Sequence, residues 1–221
     1  MKIKFLSVTI TTLFLLLTSL VQAYDLHVEE VINDPTAIYT KTFRINVTLE
    51  TWNKILDNPH LMGQLWGIYG FHPQYKVDKT ETGIHITDPT GIIGDIRQIG
   101  NAEHSKTFYA TGAFNHWAVP SFFKANGVVI FEYTREDDVL SGSVTIFMRG
   151  DNGISRVVMK VFSGILTRRV TNRIENTLEN MKKVIQDITT DPQKLRDRLN
   201  DPLLRDFEKV FPAAENKNTA S

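Results

Sequence analysis

The sequence predicts an α+β fold, in which a curved antiparallel sheet packs against one long C-terminal helix. Two stretches of the 221-residue chain carry this prediction. Between Phe71 and Arg149, apolar residues recur at every second position and turn residues interrupt them, which is typical of successive antiparallel strands. From Ile154 to Ile188, apolar residues recur at helical spacing. A run of strands followed by one long helix favours α+β over an alternating α/β chain.

The N-terminus has the pattern of an export signal. A basic start precedes an apolar run over 5–20, and Val21-Gln22-Ala23 forms a small-x-small cleavage site before Tyr24. The alternative is an uncleaved membrane anchor, for which the apolar run is short of the ~20 residues that a helical span needs. We therefore predict a cleaved signal peptide at 1–23 and an exported, periplasmic protein.

Composition excludes several classes of site and partner. The chain has no cysteine, which excludes disulfides, thiol catalysis and cysteine zinc sites. It carries 25 basic and 25 acidic residues, so no basic excess is present to neutralise phosphates, and nucleic acid is not a predicted partner. The histidines lack metal-ligand spacing, and no phosphate-binding or dinucleotide-binding glycine motif occurs. We predict neither a metal nor a cofactor.

The predicted domain covers 40–190, after a lead-in of weak pattern at 24–39. Its first strand is marked by alternation, because Phe43 and Ile45 are apolar and the residues between and beside them are polar. A short helix follows that carries Trp52 and two aliphatic residues at helical spacing. A second short helix comes before the run of strands.

Six further strands are predicted by alternation, with turn residues between them. The turn Asp88-Pro89-Thr90-Gly91 has proline where it presets φ and glycine where the last position tolerates it. Gly94 and Gly112 lie inside strands, which indicates that the sheet bends strongly there.

The long helix has more apolar surface than one sheet can cover. Over 154–166, its apolar side chains spread across roughly 180° of the circumference, whereas from Val170 they form a narrower stripe. The two faces are centred about 140° apart on a straight helix. Ser163-Gly164 lies at the changeover, and a Gly/Ser pair is a recognised cause of a kink. We therefore predict a bent helix whose first half is apolar on two sides.

Three kinds of partner can cover the second apolar side. The first is ordinary core, supplied by the short helices or by tail residues Leu203–Phe211. The second is a hydrophobic ligand held between helix and sheet, and the third is a membrane or a protein surface. Asp191-Pro192 ends the long helix, and the tail over 191–221 then offers one amphipathic piece before a polar end, 213–221, that we expect to be disordered.

The order of elements resembles the helix-grip fold. The first strand with the helix Glu50–Asp57, and a later strand at Gly127–Tyr133, are similar to the START-like polyketide cyclase/dehydrase and lipid transport superfamily, also called SRPBCC. The resemblance covers Thr40–Ile188, mainly through the order of elements. It implies a sheet that grips the long helix around an apolar cavity for a lipid, sterol, quinone or polyketide. The surplus face of Val157–Leu166 would line that cavity.

Alternation along the strands then assigns side chains to the implied cavity. For each residue alone, plain core packing is the alternative, and only the set argues for a ligand site. The predicted ligand-binding residues are Trp66, Ile84, Ile86, Phe108, Phe114, Trp117, Phe131, Ile146, Met148, Val158, Phe162 and Leu166.

An aromatic segment at 115–123 has no strand period. Loops are usually polar, so its rings, Trp117 among them, either fold inward or form a lid that touches a membrane. Arg168-Arg169 can be two solvated cations or can contact an acidic lipid head group. Transient membrane contact is therefore an open expectation.

Few polar residues are placed to catalyse a reaction. Asp88 and Asp95, with Arg97, are the candidates for a general acid or base if the curved sheet brings one into the cavity. Asp88 already has a turn role, and Asp95 and Arg97 alternate away from Ile96. The sequence therefore favours a binding or transport protein for a hydrophobic small molecule or lipid. The alternatives are a polyketide cyclase-like or dehydratase-like enzyme and a partner-binding module that uses the tail.

Overall fold

The computed structural model describes residues 27–89, 91–114, 124–161 and 163–213. The predicted export signal at 1–23 lies outside these ranges. In the described part of the chain, no helix combines the length and the apolar character that crossing a bilayer requires.

Other expectations also fall outside the described residues. They concern the aromatic segment 115–123 with Trp117, the helix residue Phe162, and the chain end 214–221.

The strands and helices follow the predicted order, with one helix before them. Helix α1 spans 27–33. The strands are β1 (Ala37–Asn46), β2 (Lys76–Lys79), β3 (Ile84–Thr87), β4 (Ile92–Ala102), β5 (Ser105–Phe114), β6 (Lys124–Glu136) and β7 (Val139–Gly150). The other helices are α2 (Leu49–Leu56), α3 (Pro59–Ile68), α4 (Gly153–Val161), α5 (Ser163–Thr190), α6 (Pro192–Arg196) and α7 (Asp201–Val210).

The seven strands form one antiparallel sheet in the order β1-β7-β6-β5-β4-β3-β2. The first strand pairs with the last, so α2 and α3 must carry the chain from one edge of the sheet to the other. Helix α4 contacts β7, and α5 contacts β1. This is the helix-grip order, and the predicted fold class is confirmed.

The backbones of β4 and β5 approach each other closely at a pair of glycines. Gly94 pairs with Gly112, and a Cβ built on Gly94 would lie 2.5 Å from the carbonyl oxygen of Thr111. Only glycine fits there, because any side chain would collide with that oxygen. The register also shifts between Gln98 and Gly100, as at a β-bulge, which increases local twist.

The main core lies between the inner face of the sheet and helices α2, α3 and α5. Trp52 of α2 is fully buried at its centre. Its ring centroid lies 5.1 Å from that of Phe43 on β1, and 6.3 Å and 6.0 Å from those of Phe131 and Tyr133 on β6. Such aromatic contacts bury large apolar areas and add a preference for tilted geometry. One helix residue thereby joins two distant strands.

Polar contacts hold the end of α2 on the same face. The Lys106 ammonium of β5 is buried and donates to both carboxylate oxygens of Asp57, at 2.8 and 3.0 Å. The Tyr133 hydroxyl donates to the Asn53 side chain. Burial, together with the charge of Asp57, raises the pKa of Tyr133 to about 12. These two contacts, from Lys106 and from Tyr133, therefore hold the C-terminal end of α2 in one orientation on the sheet.

The predicted lead-in carries a helix that covers the outer face of the sheet. Val31 of α1 packs with Tyr109 and Val128 in a second, smaller core. Arg149 of β7 forms ion pairs with Glu30 and Asp34 at the end of this helix. The lead-in was predicted without structure because seven helical residues are too few to show a period.

The predicted bend at Ser163-Gly164 stays a prediction, because residue 162, between α4 and α5, lies outside the described residues. The Asn152 side chain caps α4 by accepting from the Ser155 backbone N–H at 2.8 Å, as expected for Asn or Asp at this start. The narrower stripe that begins after Val170 is buried in the main core through α5 residues such as Ile174 and Leu178.

The C-terminal tail belongs to the main core. Leu195, Leu203 and Phe207 are buried there, α6 packs on α5, and α7 packs on α3. The alternative of a partner-binding tail is therefore wrong for these residues, because their apolar side chains are already covered by their own chain. The tail packs on α5 and α3 and does not cover the exposed Ile154, Val157 and Val161 of α4, so the predicted covering of that face by the tail is wrong there.

We expect Phe207→Ala to lower the free energy of unfolding by about 3 kcal/mol or more, because a fully buried ring leaves a cavity. Urea denaturation measures this. Glu208→Ala, on the exposed side of the same helix, is the control and should change stability by less than about 0.5 kcal/mol. Equal stability of the two variants would contradict the packing of the tail.

Candidate functional site

The inner face of the sheet is tightly packed at one end. A Cβ built on Gly142 of β7 would lie 2.4 Å from the carbonyl oxygen of Glu132 and 2.8 Å from the Phe43 ring. These distances are shorter than real Cβ contacts, so no side chain fits there. This end lies beside the Trp52 cluster, where the core is closed.

At the other end of the inner face, the described residues leave space above two glycines. A Cβ built on Gly127 of β6 would meet, among the described residues, only the Phe147 carbonyl oxygen at 3.6 Å and the Ala110 Cβ at 3.9 Å. At Gly112 of β5, the corresponding nearest atom is the Ile93 carbonyl oxygen at 3.5 Å. These are ordinary van der Waals distances, so the described residues leave room for a side chain at both positions.

Half-buried apolar side chains border this open region. They point inward by strand register, yet the helices leave part of each uncovered. We call the space above Ala110, Gly112 and Gly127 the inner hollow, and its border is formed by Ile96, Val129, Ile146 and Met148. The small residues of the sheet form the floor of this space and the aliphatic side chains form its border, which together make a surface suited to an apolar molecule.

The predicted site residues are distributed between the hollow and the core. Ile146 and Met148 border the hollow, and Ile84 is paired with Ile96 in the same row across the sheet. The half-buried Ile86 lies next to that row. Phe108 is buried, and its ring packs edge-on against Phe131 at 6.1 Å, below the Trp52 cluster.

Four other predicted residues lie elsewhere or lack described side chains. Trp66 of α3 donates to the Pro73 carbonyl at 2.9 Å and packs against Phe71, so it serves local packing. Val158 is half-buried on α4. The structure describes the backbone, but not the side chains, of Phe114 and Leu166.

The surplus face of α4 does not point into the hollow in its described part. Val157 and Val161 were implied as cavity-lining by the resemblance, yet they are 61% and 71% exposed. Met159 is the side chain that α4 buries. Helical period gives the width of an apolar arc but not its direction, so the sequence could not decide this.

Two buried polar atoms on the inner side have no hydrogen-bond partner among the described residues: the Tyr39 hydroxyl and the Trp52 Nε1. Tyr39 of β1 lies opposite Ile146 in the register, beside the hollow. A buried hydroxyl without a partner costs about 1–3 kcal/mol. Solvent does not reach this hydroxyl, so a bound molecule would contact it only after neighbouring side chains move. The prediction missed Tyr39, although it shares the inward parity of Phe43 and Ile45.

An ion pair closes the sheet edge near the start of α5. The Asp88 carboxylate is buried, and it accepts a hydrogen bond from the Arg173 guanidinium. That guanidinium also lies 5.7 Å from the centre of the Tyr75 ring. Burial raises the pKa of the Tyr75 hydroxyl. Asp88 thus fastens the end of β3 to the long helix.

The catalytic candidates are not brought together. Asp95 is exposed and contacts His85 at 2.8 Å, and Arg97 lies over the ring of Tyr109 at 5.4 Å, on the outer face. Asp88 faces the opposite side. Among the described residues, no group of three or more His, Cys, Asp or Glu is arranged to hold a metal ion.

Comparisons with known proteins give similarity of structure alone. No protein-family model and no curated protein matches the chain. A START superfamily protein from Mycobacterium smegmatis aligns with 69% of this chain and 99% of its own, at 10% identity and a TM-score of 0.43. Norcoclaurine synthase from Thalictrum flavum aligns with 68% of this chain and 87% of its own, at 9% identity and a TM-score of 0.48. A conserved protein from Geobacillus kaustophilus aligns with 66% of this chain and 96% of its own, at 11% identity and a TM-score of 0.46.

Similarities of this size do not indicate what the chain binds. The helix-grip assignment rests on the strand order of the sheet and on the positions of α2, α3 and α5.

We expect Arg173→Met to lower the free energy of unfolding by about 2–3 kcal/mol, because it leaves the Asp88 carboxylate buried without its cation. The effect lies below that of a fully buried pair, since the Arg173 side chain is 33% exposed. Arg168→Met, an exposed cation of the same helix, is the control in urea denaturation. Adding Asp88→Asn to Arg173→Met should restore part of the loss. A double variant that is less stable than the single one would contradict the pairing.

Proposed function

We propose that the chain is a binding or transport protein for a hydrophobic small molecule or lipid, held in the inner hollow between the sheet and the C-terminal helices. The observation that carries this proposal is the space that the described residues leave above Gly127, beside a closed core at Gly142. A protein that needed only stability would gain from filling that face, because interiors are normally close-packed.

Apolar area supplies the binding energy. A ligand that removes about 300 Å2 of apolar surface from water gains roughly 7 kcal/mol before the costs of association. Ile96, Val129, Ile146 and Met148 are the side chains that would be covered. Aliphatic walls of this kind select for apolar character and size more than for one chemical structure.

One polar contact would orient the ligand. Once neighbouring side chains move, the Tyr39 hydroxyl can donate to, or accept from, a single oxygen of a bound molecule. This favours an apolar molecule with one hydroxyl or carbonyl group over a pure hydrocarbon.

A binding role is favoured over an enzyme. Asp88 is held in an ion pair, and Asp95 and Arg97 lie on the outer face of the sheet. None of the three therefore faces the hollow together with another candidate. No observation in the described part of the chain favours a cyclase or dehydratase.

We expect Gly127→Val to fill the hollow. Binding of a fluorescent fatty-acid probe should weaken at least about tenfold, while the free energy of unfolding stays equal or rises, because valine suits a strand better than glycine and meets no close atom. Fluorescence titration and urea denaturation measure the two quantities. Native mass spectrometry of the protein from its own host would identify a co-purified molecule.

Two variants serve as controls for this experiment. Thr111→Val adds no bulk to the inner face and should bind as the unaltered chain does. Gly142→Val should destabilise the fold, because its Cβ has no room. A Gly127→Val chain that loses about 1–3 kcal/mol, as an overpacked core does, would show that no hollow exists. Unchanged probe binding would also contradict the proposal.

The proposed compartment is the periplasm. The basic start, the apolar run over 5–20 and the small-x-small site before Tyr24 support export. We expect N-terminal sequencing of the protein recovered from its host to start at Tyr24. A protein that still begins at Met1 would contradict cleavage and would favour an uncleaved membrane anchor.

A further inference from the structure

Helix α4 exposes a continuous apolar stripe. Ile154, Val157 and Val161, which we call the α4 stripe, are 59%, 61% and 71% exposed. Their spacing of three and four residues places them within about 60° of one another on the helix. Among the described residues, the other exposed large aliphatic side chains are Ile38 and Ile92. They are less exposed, at 54% and 40%, and they lie on different strands.

Contacts at the N-terminus of α4 hold the stripe outward. The Ser155 hydroxyl is buried and accepts from the Lys124 backbone N–H at 3.3 Å. The backbone also passes so close to Gly150 that a Cβ there would lie 2.5 Å from the Arg156 nitrogen. Rotating α4 to bury the stripe would break these contacts and expose Met159. The outward direction of the stripe is therefore built into the fold.

Cations outnumber acidic residues around the stripe, although the exposed Asp151 lies just before it. Residues 152–174 include five cations and no acidic residue, in a chain whose formal net charge is zero. Arg173 is paired with Asp88, but Lys160 and Arg168 are exposed. An aliphatic stripe flanked by lysine and arginine fits the boundary between acyl chains and acidic head groups.

A second copy of the chain fits this surface less well. Isologous contact through the α4 stripe would bring the cations of both copies together, and like charges across an interface oppose association. Charge complementarity thus favours an anionic surface as the occupant.

We propose that the α4 stripe docks the chain on the surface of an anionic phospholipid membrane. The aliphatic side chains enter the head-group region, and Lys160 and Arg168 contact lipid phosphates. This goes beyond the proposed function and does not require a loaded hollow. Where both hold, α4 lies between the bilayer and the end of β7 that borders the hollow.

Site-specific fluorescence tests the docking surface. Because the chain has no cysteine, Val157→Cys can be labelled at one position with an environment-sensitive fluorophore. We expect its emission to shift to the blue with vesicles that contain phosphatidylglycerol, and to shift little with vesicles of phosphatidylcholine alone. Ile38→Cys, also exposed at 54%, is the matched control and should not shift. The comparison holds even where the N-terminal segment remains attached, since both labelled chains share it.

Charge and apolar variants give a second, independent measure. Lys160→Gln should weaken partitioning to phosphatidylglycerol vesicles about fivefold, the effect of one lysine at an anionic surface, and raised salt should weaken it further. Lys79→Gln, an exposed lysine of β2, is the control for charge alone. Val157→Asp should reduce partitioning at least about tenfold.

Several results would overturn the proposal. One is an equal shift of the two labels. Another is binding that does not depend on phosphatidylglycerol. A dimer in sedimentation that Val157→Asp dissociates would assign the stripe to a second copy instead. Probe binding in the hollow is measured separately, so failure of membrane docking is distinguishable from failure of ligand binding.

Discussion

Burial of the Trp52 ring is the interaction on which the rest of the structure depends. It packs against β1 and β6 at once, and so fixes α2 across strands that are far apart in the chain. The Asp57–Lys106 ion pair and the Asn53–Tyr133 hydrogen bond fix the same helix by polar contacts. Because these contacts close one end of the inner face, the fold does not depend on filling the space that the described residues leave at the other end.

The sequence predicted the elements well because their signals are local. Alternation marks the strands, and apolar residues at helical spacing mark the long C-terminal helix. Asp191-Pro192 is also read correctly as a stop, since α5 ends at Thr190 and Asp191 caps α6. Each of these signals depends only on neighbours within a few residues.

The candidate site was less predictable because it depends on register and on distant contacts. Parity along a strand puts Ile146 and Met148 inward, but it cannot tell a filled face from an open one. That distinction depends on whether a ring such as Phe43 lies above a given glycine. In the same way, the pairing of Asp88 with Arg173 joins residues 85 positions apart, which no local pattern shows. Tyr39 was missed because the strand was taken to begin later than it does.

The place of α7 in the core has a consequence for biogenesis. Phe207 packs with α3 and the Trp52 region, which were synthesised about 140 residues earlier, so the protein is rich in contacts of long sequence separation. A ribosome-bound chain that stops before this helix would leave part of its apolar interior uncovered. Folding is therefore completed only when nearly the whole polypeptide is available.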